Sequence, residues 1–198
     1  MHENVAIIIL AAGVSKRLGR PKQLELYKGK SLLHHTIDTA IATNVKNIMV
    51  VLGARYELIH SHIFHNDLTI LNNENWEQGM STSIVCGLKH IKDHSPNIDK
   101  VIFMVCDQPY VNTTLLNDLI QKNQSTKMPI VASEYLDVKG TPALFDKEIF
   151  PSLMKLEGEG GAGKIIKQYS EMVASVPFEK GEVDVDREGD LEGLGNMR

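Results

Sequence analysis

The stretch VAIIILAAGVSKRLGRPK, Val5–Lys22, sets six consecutive apolar residues before a small-residue turn and four cations. An apolar run of strand length that does not alternate with polar residues reads as a strand covered on both faces, as in a parallel sheet. After Leu10 the chain turns through Ala11, Ala12 and Gly13, small residues that let a backbone approach a ligand. Gly13 also tolerates a positive φ. Backbone N–H groups in such a turn can point at an anion. Lys16, Arg17, Arg20 and Lys22 follow, with Pro21 fixing the loop. Their number suits a triphosphate, which carries about four negative charges. The loop is not a Walker A sequence, because Gly13 to Gly19 has the wrong spacing and no Gly-Lys-Ser/Thr ends it.

Further apolar runs recur at 47–52, 68–71, 100–105, 129–133 and 172–178, and segments of helical spacing lie at Ser31–Thr43, Arg55–Phe64, Met80–Ile91 and Asn112–Lys122. Ser31 and Asn112 are expected N-caps, and Ser81 or Thr82 would cap the third helix. Strand–helix alternation of this kind predicts an α/β fold, a Rossmann-like and mostly parallel sheet with helices on both faces. One domain is expected over residues 1–198. After Ser133 the pattern loosens, and Gly140, Pro142 and the glycines of 158–163 read as loops around a site. In open α/β sheets ligands bind beyond the carboxyl ends of the strands.

The composition narrows the function classes. A net charge of −4 argues against general nucleic-acid binding, so a cationic site must be local. No apolar run approaches the roughly 20 residues that span a bilayer. Two cysteines, Cys86 and Cys106, form no CxxC pair and suit a reducing compartment. With no signal-peptide layout at the N-terminus, a cytoplasmic protein is expected.

A second group lies after the apolar run KVIFMV, where the chain reads CDQPYV. Asp107 is thereby expected at a strand's carboxyl end, where a carboxylate can hold Mg²⁺ against substrate phosphates. Two other patterns lead nowhere. GEGGAGK (158–164) satisfies Gly-x-Gly-x-x-Gly and the first positions of a Walker A, yet FPSLMKLE before it reads as helix where both motifs need a strand. His60, His62 and His65 lie on different faces of a helix unless two meet at i, i+3, and they read as a polar helix end.

Leu10, Ala11, Ala12, Gly13, Ser15, Arg17, Gly19, Pro21 and Lys22 together match the signature L-A-A-G-x-S-x-R-x-G-x-P-K. The sequence resembles the GT-A-like nucleotidyltransferases, which join a nucleoside triphosphate to a phosphorylated acceptor and release pyrophosphate. The resemblance covers nearly the whole chain, in order. It implies that Arg17, Lys22 and Asp107 are catalytic and that Asp107 holds the metal. In EVDVDREGDL (182–191), Asp186 aligns best with the family's second metal ligand and Asp184 is the alternative, although Arg187-Glu188 replaces the usual Thr-Pro.

NENWEQGMSTSIVCGL (73–88) is similar to an element of the molybdenum cofactor cytidylyltransferase branch. By that resemblance Gly79 and Ser83 join the opening loop in binding the nucleotide. Met80, Gln108, Gly140, Thr141 and Pro142 would border the acceptor. Thr141 stands where many members have His, and in the 158–164 loop Glu159 replaces an Asp and Gly163 an Arg, with Lys164 restoring a cation nearby. Ala12, where guanylyl-transferring relatives tend to carry Gly, favours CTP over GTP. The resemblance thus implies Mg²⁺-dependent transfer of CMP to molybdopterin, with a molybdoenzyme of xanthine dehydrogenase type or its maturation chaperone as recipient. The alternatives are a sugar or methylerythritol phosphate cytidylyltransferase, a guanylyltransferase, or a non-catalytic carrier of the cofactor.

Overall fold

The computed structural model describes residues 4–190. Its strands and helices run in the order β1 (Val5–Leu10), β2 (Leu26–Tyr27), β3 (Lys30–Ser31), α1 (Leu32–Ile41), β4 (Asn47–Leu52), α2 (Tyr56–His60), β5 (Thr69–Asn72) and α3 (Met80–His94). They continue with β6 (Lys100–Val105), α4 (Thr113–Thr126), β7 (Ile130–Tyr135), β8 (Val138–Asp146), α5 (Phe150–Leu153), α6 (Ala162–Gln168) and β9 (Val173–Pro177). Seven strands form one sheet in the order β5-β4-β1-β6-β8-β7-β9, and β2 and β3 make a small hairpin. The β4–β5, β1–β4, β1–β6 and β7–β9 pairs are parallel, whereas β8 runs antiparallel to both β6 and β7.

The unbroken apolar strands have the cause their pattern implies. Along β1, Ile7 and Ile9 face a core with Leu33 and Ile37 of α1 and Leu116 and Leu119 of α4. Ala6 and Ile8 face the opposite core, with Ile84 and Leu88 of α3 and Ile165 of α6. Every residue of the strand is buried because successive side chains alternate between two covered faces. Each such side chain contributes roughly 1.5–3 kcal/mol by leaving water.

The caps at Ser31 and Asn112 form: their side chains accept from the N–H groups of His34 and Leu115. Helix α3 departs from expectation, since Gly79 occupies the cap position and neither Ser81 nor Thr82 caps it. Helix α2 is also shorter than the 55–64 pattern, starting after a left-handed Arg55 and ending at His60.

The largest correction is β8, a nine-residue strand where loops were expected. Gly140 and Pro142 both disfavour a strand, but the β7–β8 ladder jumps from Ala132↔Ala143 to Ser133↔Gly140. Thr141 and Pro142 lie in that irregularity, so the missing proline N–H leaves no ladder bond unmade. The Ser133 hydroxyl instead donates to the Pro142 carbonyl at 2.7 Å.

Candidate active site

The opening loop is a folded structure with its own internal bonds. Ala11 N–H donates to the Val51 carbonyl at 2.9 Å, and the Ala12 carbonyl accepts from Ala54 N–H at 3.0 Å, so the turn is pinned to the end of β4. The left-handed residues of the loop are Ser15 (φ 54°) and Gly19 (φ 73°), and Gly13 does not carry a positive φ. The Ser15 carbonyl accepts from Leu18 and Gly19 N–H, and its hydroxyl accepts from Lys22 N–H at 3.1 Å. Those three bonds curl the chain and hold the left-handed turn. A side chain at Gly13 would meet no protein atom within 4 Å, so the space over it is open to a ligand.

Gln23 was not singled out by any motif, yet it supports this loop from beneath. It is 1% exposed. Its amide nitrogen donates to the carbonyls of Ala11 and Gly13 at 2.8 and 2.9 Å. Holding those two carbonyls inward leaves the opposite side of the turn for the ligand. A glutamine after a lysine gives no sequence signal for this role.

The cations divide into groups. Arg20 is engaged by Glu25 and Glu188 at 2.6 and 3.1 Å, on the surface. Lys22 instead reaches inward: its ammonium donates to Asp107 Oδ2 at 2.5 Å and to Asp186 Oδ1 at 2.8 Å. Arg17 donates to the other oxygen of Asp186 at 2.9 Å. Two cations and two carboxylates assigned from separate motifs therefore meet in one network. Burial works against the Lys22 charge, but the Asp107 charge and the hydrogen bonds to Asp107 and Asp186 outweigh it and hold its pKa above the ordinary lysine value. The hydrogen bond from Lys22 likewise keeps Asp186 below the usual carboxylate range.

The tail reaches the site by an anchored route. Val185 N–H donates to the Asp107 carbonyl at 2.9 Å, and the Val185 side chain is fully buried against Tyr27 and Leu32. That anchor sets Asp184 and Asp186 on either side of a fixed residue. Where Thr-Pro is usual, Asp190 closes the turn by accepting from the N–H groups of Asp186 and Arg187. Leu191, the last residue of the motif, lies outside the described residues. Asp186 meets Lys22, whereas Asp184 is pushed up to about 6 by burial and by the charges of Asp107 and Asp186.

A divalent cation can be tested against this donor set. Asp107 Oδ1 is buried and has no hydrogen-bond partner, a carboxylate oxygen left with acceptor capacity. Carboxylate oxygens are the ligands that a hard cation prefers. Among the described residues no three acidic, histidine or cysteine side chains stand together as a metal cluster. Asp107 thus has an oxygen to offer such a cation, while both oxygens of Asp186 are engaged by Lys22 and Arg17. The histidines at 60, 62 and 65 do not converge: His60 stacks on Tyr56, His62 meets the Leu58 carbonyl, and His65 meets Asp38.

Beside the loop lies a cavity of about 320 Å³. Leu10, Ala12, Gly13 and Lys16 form one wall, and Trp76, Gly79, Met80 and Ser83 another. Gly79 (φ 107°) is compulsory in two ways. Its φ suits glycine, and a Cβ would fall 2.3 Å from the Gly158 carbonyl. Ser83 is 4% exposed and accepts from Asn73 Nδ2 at 3.0 Å, so a buried asparagine fixes its hydroxyl.

The residues expected at the acceptor occupy a different edge. Gln108 is 5% exposed and donates to the Gly181 carbonyl at 3.0 Å. Gly140 lies beneath the Tyr135 hydroxyl, where a Cβ would approach to 2.5 Å. Thr141 and Pro142 form the irregularity of β8 beside it. Met80 lines the cavity, whereas Gln108, Gly140, Thr141 and Pro142 are not among its lining residues.

Residues 7–173 match the model of the MobA-like NTP transferase domain. The chain belongs to this family of nucleotidyltransferases. It is 27% identical over 170 residues to nicotine blue oxidoreductase of Paenarthrobacter nicotinovorans, covering 81% of this chain and 80% of that one. It is 25% identical over 170 residues to purine catabolism protein PucB of Bacillus subtilis, covering 81% and 79%. In fold it is similar to Rv0371c of Mycobacterium tuberculosis, with a TM-score of 0.83, 24% identity and 98% of each chain covered. A structure of Rv0371c in complex with manganese gives a TM-score of 0.80 at 23% identity, covering 96% of this chain and 97% of that one.

Proposed function

We propose that the protein transfers CMP from CTP to the terminal phosphate of molybdopterin carrying molybdenum, releasing pyrophosphate. The observation that carries this reading is the convergence of Lys22 and Arg17 on Asp107 and Asp186 beside a turn with open space over Gly13. A relative named for a redox activity shows that family membership alone does not fix the chemistry. Cations set against the carboxylates of Asp107 and Asp186 suit charge development at phosphorus instead.

In this reading an oxygen of the acceptor phosphate attacks the α-phosphorus in line. The new P–O bond forms as the bond to the β-phosphate oxygen breaks, and pyrophosphate carries that electron pair away. The Lys22 ammonium and the Arg17 guanidinium donate to oxygens whose charge grows in that step. Arg17 presents a planar fork and Lys22 a point charge. The acceptor phosphate is already ionised, so no side chain need remove a proton. Asp107 and Asp186 would hold Mg²⁺, which supplies charge neutralisation on the phosphates. Catalysis is then positioning plus electrostatics.

The cavity walled by Gly79, Met80 and Ser83 takes the base, and Ala12 in its wall supports CTP over GTP. Gln108, Gly140, Thr141 and Pro142 border the acceptor, and a molybdoenzyme of xanthine dehydrogenase type or its chaperone receives the product. The protein acts in the cytoplasm on small molecules; no helix among the described residues is long and apolar enough to cross a membrane.

The test is pyrophosphate release with each of the four nucleotides, with and without molybdenum cofactor. Release with CTP that requires the cofactor is expected. A guanylylated product as the major species would overturn the choice of nucleotide, and cofactor binding without pyrophosphate would make the protein a carrier.

A further inference from the structure

The same cavity carries two carboxylates that the phosphate chemistry does not use. Glu77 and Glu159 line it together with Lys16. Glu159 belongs to a segment whose place is set by the Gly79 turn. Ser81 N–H donates to the Gly158 carbonyl at 3.2 Å, and Gly158 is itself left-handed at φ 61°. The missing Cβ at Gly79 lets that segment close to van der Waals distance, so the Glu159 backbone is held at the cavity's edge. Glu77 sits in the short 3₁₀ turn Trp76–Gln78.

An ionised carboxylate only accepts hydrogen bonds. Cytosine offers an N4 amino group as donor, whereas uracil presents a carbonyl oxygen at that position. Beside a carboxylate, the first gains a charge-assisted hydrogen bond and the second meets acceptor against acceptor. Resting on the reading of the cavity as the base site, we propose that Glu159 is a specificity-determining residue that accepts from the exocyclic amine of the base. It thereby selects CTP against UTP, a choice that the opening loop and its phosphate contacts cannot make.

The test measures binding of the non-hydrolysable α,β-methylene analogues of CTP and UTP by titration calorimetry on the full chain, independently of any acceptor. Wild type is expected to favour the CTP analogue by about tenfold, the weight of one hydrogen bond to a charged group at an exposed cavity edge. Glu159→Gln and Glu159→Ala should bring the two within a few-fold, since the glutamine amide can serve either base. Glu77→Gln should change the ratio less than Glu159→Gln does. Equal affinities in wild type, an unchanged ratio in both Glu159 variants, or a collapse in Glu77→Gln instead would each overturn the assignment. If the CTP analogue is preferred through Glu159 but no nucleotide yields pyrophosphate, the transfer reading fails while this one stands.

Discussion

Lys22 and Asp107 share a 2.5 Å ion pair although 85 residues separate them, and the same ammonium reaches Asp186 at 2.8 Å. One lysine therefore joins the loop after β1, the end of β6 and the tail after β9. Breaking that junction should affect catalysis more than nucleotide affinity. Transition-state contacts appear in kcat, uniform binding in KM.

For Lys22→Ala, kcat with CTP is expected to fall by about 10²–10³, the usual loss for one donor to a developing oxyanion. Lys16, on the cavity wall, should act differently: Lys16→Ala raises KM a few-fold with kcat near wild type. Steady-state kinetics on both variants check the division. Equal losses confined to KM would reduce the loop to an electrostatic funnel.

Asp107 carries a buried oxygen without a hydrogen-bond partner. Asp107→Asn keeps the shape but removes the charge, so turnover should drop by about 10³ with the circular dichroism spectrum unchanged. Binding of Mn²⁺ with nucleotide, followed by electron paramagnetic resonance, should weaken in parallel. A folded variant within a few-fold of wild type would remove Asp107 from the mechanism. If Asp184→Asn proves more severe than Asp186→Asn, the second ligand is Asp184.

Gln23→Leu fills the same buried space and leaves the carbonyls of Ala11 and Gly13 without their donor. An unpaired buried polar group costs about 1–3 kcal/mol. The variant should lose several degrees of Tm and bind nucleotide more weakly, with kcat at saturation least affected. Thermal denaturation and nucleotide titration measure both effects.

Asp146 gives a pH effect far from the chemistry. Burial raises its pKa above the ordinary 3.8, against the opposing hydrogen bond from Asn123 and the charge of Lys100. The folded state then holds this proton more tightly than the unfolded chain, so stability falls as pH rises from about the unfolded value through the raised one. Asp146→Asn should flatten that part of the stability–pH curve. Urea denaturation at successive pH values checks it, and an unchanged slope would exclude Asp146 as the source.

The sequence by itself determined β1, β4, β5, β6, β7 and β9, each of which coincides with an apolar run. VAIIIL is apolar throughout, and KVIFMV is apolar after Lys100, because both sheet faces are covered, and that requirement is local enough to read directly. Ser31 and Asn112 cap their helices through bonds three residues long, equally local. The resemblance put Lys22, Asp107 and Asp186 into one site, but their mutual geometry spans up to 164 residues and only the folded sheet supplies it. Strand β8 was hidden because Gly140 and Pro142 oppose a strand intrinsically, and the ladder's irregularity that accommodates them exists only once β7 is alongside. Gln23 was hidden for the same reason. Its role is two hydrogen bonds to backbone carbonyls, and a backbone carbonyl has no residue type to recognise.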